Sequence, residues 1–156
     1  MLAHAPLATS DMAAVCFLLA TMGAFWRHLA DPTWRTGALS AVVFGLACVA
    51  KYSAALLPPM MLLLLIWRIG SESAAVRGRW WRLAPLTIAG HAGTGIFIIW
   101  AFYGFRYGGF APGLPPADHY IAPWPTVLPY IGFHRHLVEF CRDWQLLPET
   151  FLYGYA

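Results

Sequence analysis

A few side chains able to do chemistry stand in or beside otherwise apolar stretches. Asp11 immediately precedes the apolar run 12–26, Lys51 interrupts the run 37–67, and His91 lies among Gly90, Gly93 and Gly95. An ammonium inside a membrane is costly unless it pairs with an anion or snorkels, so a cation there is a functional hypothesis by default. No acidic residue lies between Asp31 and Glu72, so the anion for Lys51 must come from outside its own stretch; a phosphate group would serve. Asp11 has two readings. It caps a helix that starts behind it, or it is an active-site carboxylate. His91 reads as a hydrogen-bonded packing residue, because no second metal ligand is near it in sequence. His134 and His136 are two residues apart, which on a helix points them in different directions and leaves them facing solvent or headgroups. Cys16, Cys48 and Cys141 show no C-x-x-C spacing, and two of them fall inside expected spans.

The elements that hold these residues follow from composition. Of 156 residues, 60% are hydrophobic and 11% charged, too apolar for one soluble core; the fold class is an all-α, polytopic transmembrane helix bundle. The run 37–67 would reach about 46 Å as one helix, well past a hydrocarbon core of roughly 30 Å. Charge divides it. Arg27 and Arg35 precede the run, and Arg68, Arg77, Arg79 and Arg82 follow it. Both basic stretches stay on the cytoplasmic side only if the chain crosses twice between them, with Lys51 at the outer turn. Four spans result, at about 12–29, 37–50, 54–67 and 83–103, within a transmembrane region 1–105. Pro58-Pro59 is expected to kink the third span, and Trp26, Trp34, Trp80 and Trp81 to anchor the inner interface. Gly45 and Ala47 permit close packing of the second. The net charge of +3 belongs to this topology and to headgroup contact; nucleic acid is not an expected partner.

From Gly104 the character changes. Six prolines between Pro112 and Pro129 make an irregular outer loop, so 106–156 is expected outside the membrane. Tyr130, Phe133, Leu137, Phe140, Cys141 and Trp144 recur at three- and four-residue steps, opposite Arg135, Glu139, Arg142 and Asp143. That pattern predicts an amphipathic helix over about 129–145, lying in the membrane interface.

Three stretches together carry a family resemblance: His4-Ala5-Pro6-Leu7-Ala8-Thr9-Ser10-Asp11, then Gly45-Leu46-Ala47-Cys48-Val49-Ala50-Lys51-Tyr52-Ser53, then Leu146-Leu147-Pro148-Glu149-Thr150-Phe151-Leu152-Tyr153-Gly154. They resemble the polyprenyl-phosphate-sugar-dependent glycosyltransferases of family 39, which include protein O-mannosyltransferases and lipid A aminoarabinose transferases. The resemblance implies a GT-C fold with an active site facing the periplasm or lumen. In that family a first-loop acid is the catalytic base, a second acid follows an H-x-x-L-x-T-[TS]-D-like stretch, and a lysine contacts the lipid phosphate. Asp11 matches the second acid and is the expected catalytic residue. Lys51 matches the lysine; His4, Tyr52, Arg106 and Glu149 are the further substrate-binding positions. The loop with the first acid is expected upstream of Met1, so the chain reads as a fragment that is inactive alone.

The expected partners are a polyprenyl-phosphate sugar donor, membrane lipids, and a glycan, lipid or protein acceptor, with a divalent metal ion as a candidate cofactor. The expected location is a bacterial inner membrane. The alternative is a non-enzymatic membrane protein, a transporter segment or an assembly subunit in which Lys51 is a substrate or pairing charge. No repeat relates the two halves, as inverted-repeat transporters would show.

Overall fold

The computed structural model describes residues 5–71, 73–108 and 124–155, and these residues form helices, turns and bends with no strand among them. The α-helices are α1 (Ala5–Ala30), α2 (Trp34–Ala50), α3 (Leu57–Ser71), α4 (Ala74–Phe102), α5 (Trp124–Val127), α6 (Arg135–Asp143) and α7 (Glu149–Tyr155). The chain divides into two compact units, Met1–Ile98 and Ile99–Ala156.

In the first unit, three stretches are long and apolar enough to cross a membrane: Asp11–Ala30, Tyr52–Ser71 and Val76–Phe102. The fourth, α2, has 17 residues and so reaches about 25 Å, slightly short of a hydrocarbon core. The turn between α1 and α2 is closed by a capping box. Thr33 accepts from the Thr36 backbone N–H at 3.2 Å, and the Thr36 hydroxyl accepts from the Thr33 N–H at 3.1 Å. The core of this unit joins Phe25 and Leu29 of α1, Ala47 of α2, Leu57, Met61 and Leu65 of α3, and Trp80 and Ala84 of α4.

Several expectations change here. Asp11 is not an N-cap, because α1 begins at Ala5 and already passes through it in the second turn. Pro58 and Pro59 do not kink a span. They occupy the first turn of α3, where a missing N–H has no carbonyl to bond within the helix. The basic stretch before the fourth span is largely helical, since α4 starts at Ala74 and carries Arg77, Arg79 and Arg82 in its opening turns. Trp80 is consequently a core residue, 1% exposed and edge-on to His28 at 6.0 Å. Trp81, at 66% exposed, and the stacked pair Trp26 and Trp67 keep the positions of interface aromatics.

The second unit takes in the last turn of α4. Gly104 at φ +63 ends that helix: the Phe105 N–H reaches back to the Trp100 carbonyl at 2.8 Å and the Gly104 N–H to Ala101 at 3.1 Å. This double bond pattern requires a left-handed residue, which glycine takes without a Cβ penalty. Trp124, Val138 and Leu152 form the core of the unit. The amphipathic helix is shorter than expected. Turns of 3-10 type at Leu128–Tyr130 and Gly132–His134 precede it, and only Arg135–Asp143 is α-helical. Gly132 at φ +67 interrupts the continuous helix that the spacing suggested. Val138 faces the core while Tyr130, Leu137, Phe140 and Trp144 are exposed. Most of the proline-rich loop, including Pro112, Pro115, Pro116 and Pro123, lies outside the described residues.

Candidate active site

Lys51 sits at a one-residue break between two helical stretches. Its backbone is extended, at φ −162 and ψ 144; its N–H reaches the Ala47 carbonyl at 3.3 Å and its own carbonyl accepts the Ala54 N–H at 3.0 Å. A 3-10 turn, Tyr52–Leu56, then leads into α3. The prolines explain why the helix stops. Continued through 51, it would bring Pro58 and Pro59 into a helix interior, losing two hydrogen bonds and clashing with the preceding turn.

Asp11 comes from the second turn of α1 and meets Lys51 across the helix pair: Lys51 Nζ donates to Asp11 Oδ1 in an ion pair. The anion that Lys51 lacks in its own stretch is thus supplied 40 residues upstream. Both side chains are open, 46% exposed for Lys51 and 62% for Asp11, and they lie where the apolar stretches Asp11–Ala30 and Tyr52–Ser71 begin. An exposed pair of this kind contributes only about 0–1 kcal/mol to stability, so an incoming anion can take the ammonium without a large cost to the fold. Tyr52 follows directly and is 39% exposed.

His4 lies outside the described residues. Arg106 is exposed in the turn after α4. Glu149 is bound into the second unit: its Oε1 accepts the Trp124 indole N–H at 2.9 Å, and its backbone N–H reaches the Tyr107 carbonyl at 3.0 Å. Arg142 lies over the Trp124 ring at 5.2 Å, and its carbonyl accepts the Tyr107 hydroxyl at 3.1 Å. Burial, and then the nearby Glu149 carboxylate, push the Tyr107 phenol above its ordinary range.

A second polar cluster, at the basic end of the first unit, was only partly legible. The Thr36 hydroxyl donates to the Asp31 carbonyl at 2.8 Å, so it accepts from His28 Nδ1–H at 3.1 Å. His28 Nε2 then takes the Thr87 hydroxyl at 3.2 Å. His91 Nδ1–H donates to the Thr87 carbonyl at 2.7 Å, and its Nε2 accepts the Ser40 hydroxyl at 2.9 Å. Both nitrogens of each ring are committed, which makes His91 the packing residue its surroundings suggested and ties α1, α2 and α4 together. The signal was present in Ser40 and His91 themselves: a polar group in an apolar span must find a partner on another helix.

Among the described residues no three His, Cys, Asp or Glu side chains converge as a metal site. Asp11 faces an ammonium, and His136 faces Glu139 at 3.5 Å while almost fully exposed. Among the described residues, the group beside Asp11 is an ammonium rather than a second metal ligand.

These features define a polytopic helical membrane protein whose first unit has an open ion pair at one end and Arg27, Arg35, Arg68, Arg77, Arg79 and Arg82 at the other. The family model for dolichyl-phosphate-mannose-protein mannosyltransferase matches residues 1–100, well over half of the chain, and the chain belongs to that family. It is an integral membrane protein of glycosyltransferase type. No curated protein and no solved structure matches the chain. The matched region contains His4, Asp11, Lys51 and Tyr52 but not Arg106 or Glu149. Membership in a family of enzymes decides against the transporter or assembly-subunit reading.

Proposed function

We propose that Asp11 and Lys51 belong to the active site of an enzyme that transfers a sugar from a polyprenyl-phosphate donor to a lipid, glycan or protein acceptor. The site faces the outside of a bacterial cell membrane. The observation that carries this reading is the ion pair itself, exposed at the end of the bundle opposite Arg27, Arg35, Arg68, Arg77, Arg79 and Arg82. The arginine-rich end belongs in the cytoplasm, which puts the pair outside.

The chemistry is a displacement at the anomeric carbon. An acceptor oxygen forms the new C–O bond as the bond from that carbon to the phosphate oxygen breaks; the bonding pair leaves on the polyprenyl phosphate, and the acceptor's proton passes to a carboxylate base, the role the resemblance gives to a first-loop acid. Lys51 exchanges Asp11 for the phosphate and stabilises the negative charge that grows on it. Asp11, released from its partner, orients the sugar or the acceptor hydroxyl. Tyr52, adjoining Lys51, contributes to binding the donor. No step is routed through a metal ion.

Asp11→Asn keeps the shape of the side chain and removes its charge. In the complete protein in proteoliposomes, transfer from a polyprenyl-phosphate sugar should fall about 10²-fold with membrane abundance unchanged. An unchanged rate would reduce Asp11 to a structural partner of Lys51.

A further inference from the structure

The first unit holds a second opening, at the end far from Asp11 and Lys51. Between α2 and α4 lies a cavity of about 420 Å³, walled by Gly37, Ala38 and Ala41 on one side and by Leu83, Leu86 and Gly90 on the other. His28, Thr87 and His91 reach its floor, but the hydrogen bonds described above occupy their ring nitrogens and the Thr87 hydroxyl. A Cβ built on Gly90 meets nothing within 4 Å, so the cleft is open space there.

Its rim is cationic and aromatic. Trp34 lines the mouth at 78% exposed, with the Arg35 guanidinium over its ring at 5.5 Å. Pro32, also at the mouth, accepts a hydrogen bond from Arg79 at 3.3 Å. Arg82 adjoins the lining residue Leu83, and all three arginines are exposed. Three arginines and one carboxylate, Asp31 beside Pro32, stand at the rim; the walls are mostly small and aliphatic, and the net positive charge is gathered where a headgroup would sit.

We infer that this cleft binds an anionic phospholipid from the adjoining leaflet, its phosphate held by Arg35 and Arg79 and part of one acyl chain laid along Ala38, Ala41, Leu86 and Gly90. Charge complementarity selects the occupant. An apolar groove between spans that opens beneath clustered cations suits an anionic headgroup with its chain, whereas a partner helix would leave the guanidinium groups without counter-charge. At Gly37 the Cβ position is taken by the His28 ring, 3.2 Å away, so the room for a flexible chain lies along the Gly90 wall.

The test is native mass spectrometry of the complete protein in mild detergent, titrated with phosphatidylglycerol and, separately, phosphatidylcholine. Retention of one phosphatidylglycerol, at least tenfold tighter than phosphatidylcholine, is expected. Arg35→Gln with Arg79→Gln keeps a side-chain N–H for the Pro32 carbonyl and should weaken phosphatidylglycerol about 25-fold, or about fivefold per arginine. Arg35→Lys with Arg79→Lys should retain most of the binding. Gly90→Leu fills the cleft while leaving the arginines in place, and should also release the lipid. Equal retention of the two lipids, or full retention in Gly90→Leu, overturns the inference. So does a dimer that resists both lipids and is lost in Gly90→Leu, which would assign the cleft to a second copy of the chain. The readout involves no sugar transfer, so its failure leaves the Asp11 and Lys51 reading untouched.

Discussion

Lys51→Met is expected to cost about 10²- to 10³-fold in kcat/KM for transfer from a polyprenyl-phosphate sugar, with little change in insertion or thermal stability. Methionine keeps the apolar stem and deletes the ammonium. The fold tolerates this because the pair with Asp11 is exposed and contributes about 1 kcal/mol at most, and because the break at residue 51 is set by backbone and prolines rather than by the charge. The reaction does not tolerate it, because the cation acts on charge that appears on the phosphate as the bond breaks. Lys51→Arg should recover part of the rate, since Arg keeps the charge but offers a planar fork in place of a compact ammonium. Measuring kcat/KM alongside Tm in the same preparation separates the two effects. A Lys51→Met enzyme at the wild-type rate would make Lys51 a snorkelling interface residue.

The second large effect concerns stability. Gly45 of α2 lies against α4 so closely that an added Cβ would meet Ile98 Cδ1 at 2.6 Å and Ile98 Cβ at 3.1 Å. The terminal methyl can rotate away; the Cβ is fixed to the α4 backbone. Gly45→Ala should therefore destabilise by about 1 kcal/mol and Gly45→Val by about 2–3 kcal/mol, within the range for overpacked cores. Pushing α4 from α2 also strains the Ser40–His91 hydrogen bond, which is buried and of the kind that contributes about 0.6–2 kcal/mol between helices in a membrane. Thermal unfolding in detergent should show the order wild type, Gly45→Ala, Gly45→Val, with Ser40→Ala in the Gly45→Val background costing less than it does alone. Equal Tm values for Gly45→Val and wild type would mean that the two helices do not touch there.

What could be read from residues alone follows a physical boundary. The all-helical membrane class was legible because composition and span length act on every residue of a stretch at once. The break at Lys51 was legible too, from charge on either side of the run, whereas the two prolines downstream were read as a kink. Pairings across helices were not. Asp11 and Lys51 are 40 residues apart, and Ser40 and His91 are 51 apart; periodicity describes one helix at a time and says nothing of which helix comes next to it. The N-cap reading of Asp11 failed for a related reason. Residues 5–10 include Thr9 and Ser10, which suggested a loop, yet α1 extends through them. Trp80 was misread as an interface anchor because the arginines around it mark a membrane boundary, and a helix can begin before that boundary and turn one of its faces inward. Of the expected site residues, the family match covers His4, Asp11, Lys51 and Tyr52, whereas Glu149 bonds Trp124 inside the second unit.

The central claim is that Asp11 and Lys51 act in distinct roles and are more than a structural pair. Exchanging them, as Asp11→Lys together with Lys51→Asp, tests it most directly. The exchanged protein rebuilds an ion pair at the same place, so its Tm should stay within a few degrees of wild type while the cation moves from the break after α2 to α1. Transfer from a polyprenyl-phosphate sugar in proteoliposomes should remain below about 1% of wild type, no better than Lys51→Met alone. A folded exchanged protein that regains the wild-type rate would contradict the account, because pairing alone would then be all that these two residues supply.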